Sequence, residues 1–271
     1  MPARIKQQTQ EVPRIARSLA AILTPGVDAA SVLEEFRQLP EVEWASLVVA
    51  HRLSEVPNDP DFWRQWGPVR INATNAWDVA PATTALHIAI IDTGVDLDHP
   101  DLAARISFEA GYGDFGTGNA PQDGRNRADH GTHVAGIAAA IRNNSEGIAG
   151  IADATIMALN CATWDDDERM YMITHSCDAI NDAIANHAEI INCSFCDDEL
   201  GDLGDCMKSA LDKALEQDVL VVVSAGNEAN DVTGHYWDQH FWPFIVSATD
   251  EWDALSNVSN FGAGIDIAAP G

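Results

Sequence analysis

Asp129-His130-Gly131-Thr132-His133-Val134-Ala135-Gly136 runs without interruption into the apolar Ile137-Ala138-Ala139-Ala140. A histidine opening a helix of small residues lies where another backbone can approach closely, and an imidazole held there suits a general base. Alone, a His-Gly-Thr-His segment reads equally well as a core histidine. Upstream, Leu86-His87-Ile88-Ala89-Ile90-Ile91 is a short apolar run ending in Asp92-Thr93-Gly94-Val95-Asp96. That is the pattern of a buried parallel strand delivering a carboxylate at its C-terminal end. Downstream, Val219-Leu220-Val221-Val222-Val223 runs into Ser224-Ala225-Gly226-Asn227-Glu228, a second strand that releases a side-chain amide able to donate to an oxyanion. Ile190-Ile191-Asn192-Cys193-Ser194-Phe195 is a third strand, whose end can pair with an extended peptide. Ligands and catalytic groups of open α/β sheets gather at the C-terminal edge of the strands.

Around these stretches the chain alternates strands and helices. Strands are expected at 154–160, 189–195, 219–225, 244–248 and 265–268, and helices after His130, at about 172–186 and at 203–217. The order predicts an α/β fold with a doubly wound parallel sheet and right-handed crossovers. The Gly-, Asn- and Asp-rich 111–127 reads as a surface loop delivering His130, and 165–168 as an acidic loop. The length of 271 residues, 46% hydrophobic and 21% charged, suits one domain of about 200 residues plus an extension. With 15 basic and 42 acidic residues the net charge is -27, which repels nucleic acid and anionic membranes. No apolar run approaches the roughly 18 residues of a membrane span. Basic residues Arg4, Lys6, Arg14 and Arg17 precede a short apolar stretch at 18–23, but Pro25 and Gly26 cut it short, so no convincing signal peptide is expected.

Ile91-Asp92-Thr93-Gly94, His130-Gly131-Thr132-His133-Val134-Ala135-Gly136, Asn192-Cys193-Ser194 and Ala225-Gly226-Asn227-Glu228, in that order, resemble the subtilisin-like serine proteases, the subtilases. The resemblance covers 57–271. It implies the subtilisin type of sheet, polypeptide substrates and secretion. It makes Asp92 the aspartate of the triad, His130 its base, Asn227 the oxyanion donor and His133 a structural neighbour, with no cofactor in catalysis. Ser194, Phe195, Cys196, Ala225 and Gly226 would line the peptide groove, where Phe195 and Cys196 replace the family's usual leucine and glycine. The family carries its nucleophile in a Gly-Thr-Ser-Met-Ala segment after a strand ending in Ala-Pro-Gly. This sequence reaches Ala269-Pro270-Gly271 and contains no Gly-Thr-Ser. The expectation is an endopeptidase by lineage whose 271 residues alone are inactive; the alternative is a non-catalytic fragment or pseudoenzyme that binds peptides.

The resemblance also implies calcium, held by Asp59, by Asp101 of His99-Pro100-Asp101-Leu102 and by Asn144, since two carboxylates, an amide and loop carbonyls supply hard oxygen ligands. From spacing alone the three read as turn and cap residues. Residues 1–56 resemble part of an inhibitory propeptide, a small α+β module preceding the peptidase domain. It would comprise a strand at 19–23, a helix at 28–39 capped by Asp28 and a strand at 43–49, with processing at 54–57; this propeptide would be the chain's own partner. Residues 71–77 resemble the family's first helix. Five cysteines leave at least one thiol free within a chain. Cys193-Ser194-Phe195-Cys196 has no second pair at zinc spacing, so buried thiols on strands are expected.

Overall fold

The computed structural model describes residues 5–6, 21–24, 26–47, 56–79, 86–195, 204–233 and 243–271. It contains two compact units, Met1–Leu53 and Ser54–Gly271. In the first, β1 (Ile5–Lys6) pairs antiparallel with β2 (Ile22–Leu23), and α1 (Ala29–Arg37) follows. Asp28 caps α1 by accepting from the Ala30 and Ser31 amides. The strand expected at 43–49 does not form over its described residues. Residues 43–47 have no ladder partner, Trp44 and Leu47 are exposed, and 48–49 lie outside the described residues. A strand exists only through its partner, so residue type alone is insufficient. Residues 19–20 and 54–55 also lie outside the described residues.

The second unit opens with α2 (Trp66–Arg70) and α3 (Ala73–Val79). The single helix expected at 71–77 is thus displaced, because Asn72 adopts a left-handed φ of 61° between the two. Then come β3 (His87–Asp92), β4 (Ile106–Gly111), α4 (His130–Ala139), β5 (Thr155–Asn160), β6 (Ala162–Asp165), β7 (Met170–Ile173), α5 (Ser176–Ala185), β8 (Ile190–Cys193), α6 (Gly204–Glu216), β9 (Leu220–Ser224), β10 (Phe244–Thr249) and β11 (Ile267–Pro270). Seven of these strands form one parallel sheet in the order β11-β10-β9-β8-β3-β5-β4. Two further readings of the sequence differ from the structure. Gly111, placed in a loop, closes β4, whose alternating burial hid it. Met172, placed in a helix, belongs to the antiparallel hairpin β6–β7, and the helix starts only after His175, at φ 57°.

Side-chain alternation along β3 explains why its run is apolar throughout. Ile88 and Ile90 pack with Ala135 and Ala139 of α4. Ala89 and Ile91 pack on the opposite face with Ala179 and Ile180 of α5 and Ala210 and Leu211 of α6. Successive residues face opposite layers, so a strand covered by helices on both sides has no polar position until it ends. A disulfide joins Cys177 of α5 to Cys206 of α6. Cys161 and Cys193 are free, buried thiols in the core on that side, and burial pushes the Cys161 pKa up to about 12. Cys196 lies outside the described residues.

Candidate active site

The period of two that puts Ile88 and Ile90 on the α4 face puts Asp92 there as well, at the last position of β3. His130 is the first residue of α4. Their side chains meet, with His130 Nδ1 2.8 Å from Asp92 Oδ1. Asp92 Oδ1 also accepts from the Thr93 amide at 2.7 Å, and Asp92 is 1% exposed. Its Oδ2 is buried and has no hydrogen-bond partner among the described residues. A proton on Nδ1 donated to the carboxylate leaves Nε2 as the basic nitrogen.

The close approach of β3 and α4 depends on small groups. A Cβ on Gly131 would stand 2.3 Å from the Gly94 carbonyl oxygen and 3.0 Å from Asp92 Cβ. Thr93 Oγ1 accepts from the Gly131 amide at 3.0 Å and donates to the Ala128 carbonyl at 3.4 Å. Thr132 Oγ1 accepts from the Asp96 amide at 2.9 Å. These bonds tie both ends of the Asp-Thr-Gly turn to the first turn of α4.

Because the sheet is parallel, the ends of β3, β8 and β9 lie along one edge. Asn192 Nδ2 donates to Ser194 Oγ at 2.9 Å there, while Phe195 packs against the core on the α5–α6 side. Ala225 and Gly226 are buried and Asn227 is exposed beyond them. No hydrogen bond among the described residues joins the Asn227 side chain to the Asp92–His130 pair.

Asp59, Asp101 and Asn144 also converge. Asp59 Oδ2 and Oδ1 accept from the Asn143 and Asn144 amides at 3.0 and 3.4 Å. Asn144 Nδ2 donates to Asp101 Oδ1 at 2.7 Å, and Asp101 Oδ2 accepts from the Ile148 amide at 3.1 Å. Asp59 and Asp101 are 4% and 2% exposed. The two buried carboxylates are hard oxygen donors of the kind Ca²⁺ takes, but the Asn144 amide turns its Nδ2 to Asp101 while its Oδ1 accepts from the Glu146 amide at 2.9 Å. Two of the three expected donors thus converge as oxygens, and no group of three or more His, Cys, Asp or Glu placed to hold a metal occurs among the described residues.

The sequence pattern of the "Subtilase family" matches residues 83–271. The chain belongs to the subtilase family. It is 38% identical to thermitase of Thermoactinomyces vulgaris over 79% of this chain and 73% of that protein. It is 31% identical to an extracellular protease of Xanthomonas campestris pv. campestris over 90% of this chain, spanning 47% of that protein's length. Among solved structures, a protease from Pseudoalteromonas arctica superposes with a TM-score of 0.66 at 26% identity, covering 80% of this chain and 73% of that one. The parallel sheet flanked by helices is therefore of the subtilisin type.

Electrostatically, the hydrogen bond to Asp92 is the main cause holding the His130 pKa above its ordinary value of 6.5; burial of the ring opposes it. In this subtilase three positioning residues escape a reading by motif. Thr93 sits inside Asp-Thr-Gly but acts on Gly131. Asn160, at the end of β5, is fully buried, accepts from the Ala162 amide at 2.9 Å and donates to the Asn119 carbonyl at 2.6 Å. Asn260 holds the loop that carries Asn227. Its Oδ1 accepts from the Glu228 and Asn230 amides at 3.1 and 2.9 Å, and its Nδ2 donates to the Ala225 carbonyl and Glu228 Oε2. A polar residue just after or between apolar stretches was the available signal. Ser259, given no catalytic role from sequence, is buried and accepts from the Ala248 amide at 2.8 Å.

Proposed function

We propose that this subtilase unit serves hydrolysis of polypeptides by acyl transfer to a serine. The observation that carries the reading is the 2.8 Å contact between a buried strand-end carboxylate and a helix-first imidazole, inside a family match spanning 83–271. Asp92 fixes the His130 tautomer and stabilises the imidazolium. His130 Nε2 takes the serine proton and returns it to the leaving amine. Asn227 donates to the tetrahedral oxyanion, a contact whose loss costs roughly 3 to 4 kcal/mol in a related site. The edges near Ser194, Phe195, Cys196, Ala225 and Gly226 receive the extended substrate.

On this reading the serine belongs to a Gly-Thr-Ser-Met-Ala segment, which residues 1–271 do not contain. The isolated 271-residue chain is therefore expected to bind peptides without hydrolysing them. Labelling with a fluorophosphonate tests this. The isolated chain should stay unlabelled, whereas a gene product reading on past codon 271 into Gly-Thr-Ser-Met-Ala should label and should lose labelling with His130→Ala. Labelling of the 271-residue chain at one of its own serines would overturn the assignment, as would labelling indifferent to His130.

The same proposal extends to compartment, partner and ion. Secretion is supported by an extracellular relative, and no described helix is long and apolar enough to cross a membrane. Residues 1–56 act as a propeptide partner of the 57–271 peptidase domain, supported by the capped helix and antiparallel strand pair in the first unit. Neither nucleic acid nor membrane is a partner, supported by the net charge of -27. Asp59, Asp101 and Asn144 hold Ca²⁺ once the Asn144 amide turns its Oδ1 to the site, supported by the convergence of the two buried carboxylates. Chelator should lower the melting temperature and added Ca²⁺ restore it; an unchanged melt refutes the ion.

A further inference from the structure

Three of the chain's 15 Lys and Arg residues, Arg125, Arg127 and Arg169, fall on the segment leading into His130 and on the facing hairpin, in a protein of net charge -27. Arg125, Asn126, Trp164, Asp166 and Arg169 line an open recess between them. One wall is rigid. Trp164 stacks edge-on to Tyr171 at 5.2 Å, and Tyr171 meets Phe115 at 5.7 Å. The Arg125 guanidinium lies over Trp164, 4.5 Å from the ring centroid, with its Nε 3.3 Å from Asp123 Oδ2. The Tyr171 hydroxyl donates to that same Asp123 carboxylate oxygen at 2.6 Å.

Of the acidic groups nearby, Asp123, Asp165 and Asp166 are engaged, Asp165 Oδ1 accepting from the Asp167 and Glu168 amides at 2.8 and 2.9 Å, while Asp167 and Glu168 themselves are exposed on the turn that carries Arg169. Asp123 is shared by Arg125 and Tyr171, and Asp166 accepts from Trp164 Nε1 at 2.8 Å. Arg169 is exposed, sits at the hairpin turn with φ 55°, and makes no ion pair among the described residues. The recess is also coupled to the catalytic pair. The Tyr171 amide donates to the Asn126 carbonyl at 3.1 Å, and the His130 amide donates to the Arg127 carbonyl at 3.2 Å. The hairpin follows Cys161, whose amide donates to the Asp92 carbonyl at 2.8 Å.

Resting on the polypeptide-substrate reading, we infer that this recess is a specificity site that takes an acidic side chain of the substrate, with Arg169 as the free cation and Arg125 on its tryptophan platform as the fixed one. A carboxylate seated there meets two planar donors, while a basic side chain meets like charge.

Titration calorimetry of the full chain tests the inference without requiring hydrolysis. The probes are capped octapeptides, identical except that Glu, Gln or Lys is walked through each position. At one position Glu should bind roughly three- to tenfold more tightly than Gln, the range of a partly exposed charge-assisted pair. The preference should vanish in Arg169→Ala, turn towards Lys in Arg169→Glu, and shrink in 1 M salt, where the Debye length is about 3 Å. Equal binding of Glu and Gln peptides at every position, or a Glu preference unchanged by Arg169→Ala, overturns the specificity site and leaves the peptide-binding reading standing. Failure of every octapeptide to bind overturns both.

Discussion

Gly131→Ala and Gly136→Ala, two identical changes in one helix, should have opposite effects. Helix propensity alone favours alanine over glycine by about 1 kcal/mol at either position. At Gly136 the added Cβ would meet only Ile148 Cδ1, at 3.5 Å, an ordinary contact, so the propensity gain should survive. At Gly131 it would stand 2.3 Å from the Gly94 carbonyl oxygen and 3.2 Å from Asp92 Oδ1. The first distance is about 1 Å short of a normal carbon–oxygen contact, and the obstacle is backbone rather than a flexible side chain. The first turn of α4 must therefore retreat from β3, which costs about 1 to 3 kcal/mol of overpacking on top of the lost propensity gain. It also breaks the Gly131 amide bond to Thr93 and opens the 2.8 Å contact of His130 with Asp92. A shift of about 1 Å at such a contact is enough to lose roughly a hundredfold in rate where the site is complete. Urea melts should place Gly136→Ala about 0.5 to 1 kcal/mol above the parent and Gly131→Ala at least about 1 kcal/mol below it. NMR of the His130 ring should show its pKa falling in Gly131→Ala alone. A Gly131→Ala variant as stable as Gly136→Ala, with an unmoved imidazole, would refute the steric account of the site.

The His130 pKa stands above 6.5, so the folded state binds more protons than the unfolded one just above that value. Its contribution to stability is fully present below about 6.5 and is lost as pH rises through the folded pKa. Asp92→Asn removes the main raising cause and leaves burial, so NMR should show the pKa falling and the pH dependence in that window disappearing. The Cys177–Cys206 disulfide closes a sequence separation of 29, so replacing both cysteines by alanine should cost about 3.5 kcal/mol in urea melts, and a loss under about 1 kcal/mol would contradict the loop-closure estimate. Asn260→Ala strips partners from the Glu228 and Asn230 amides and the Ala225 carbonyl, costing about 2 to 4 kcal/mol and accelerating hydrogen exchange at those two amides before the rest of the sheet. With a net charge of -27, the melting temperature should rise between 0.1 and 1 M NaCl as self-repulsion is screened; a flat or falling profile would show that the acidic surface exerts no strain on the fold.

The parallel sheet was legible because burial on both faces forces apolar runs, and those runs stop at Asp92, Ser194 and Asn227, the residues proposed for the chemistry. The pairing of Asp92 with His130 was legible through the resemblance to the subtilases, since the small residues around His130 alone left a core histidine equally open. Elements held by partners remote in sequence were not. Trp44 and Leu47 have strand-forming character and no ladder partner among the described residues. Met172 was drawn into a hairpin by β6, against its helical reading. The Cys177–Cys206 bond links two helices whose facing could not be known before β8 was placed between them in the chain.

The polar residues missed from sequence explain how a site made from strand ends stays rigid. Past the ends of β3, β5 and β9 the ladder runs out within a residue or so, and buried amides and carbonyls left unpaired there are costly. Thr93, Asn160 and Asn260 each bind backbone groups across such a gap, joining the Asp92 turn to α4, the β5 end to the Asn119 segment, and the Asn227 loop to the segment before β11. Their side chains replace the ladder where the chain must turn outward. The turn after Asp92 and the loop that carries Asn227 are thereby held by side-chain bonds that end on backbone, so weakening Thr93 or Asn260 should displace a group proposed for the chemistry without touching it.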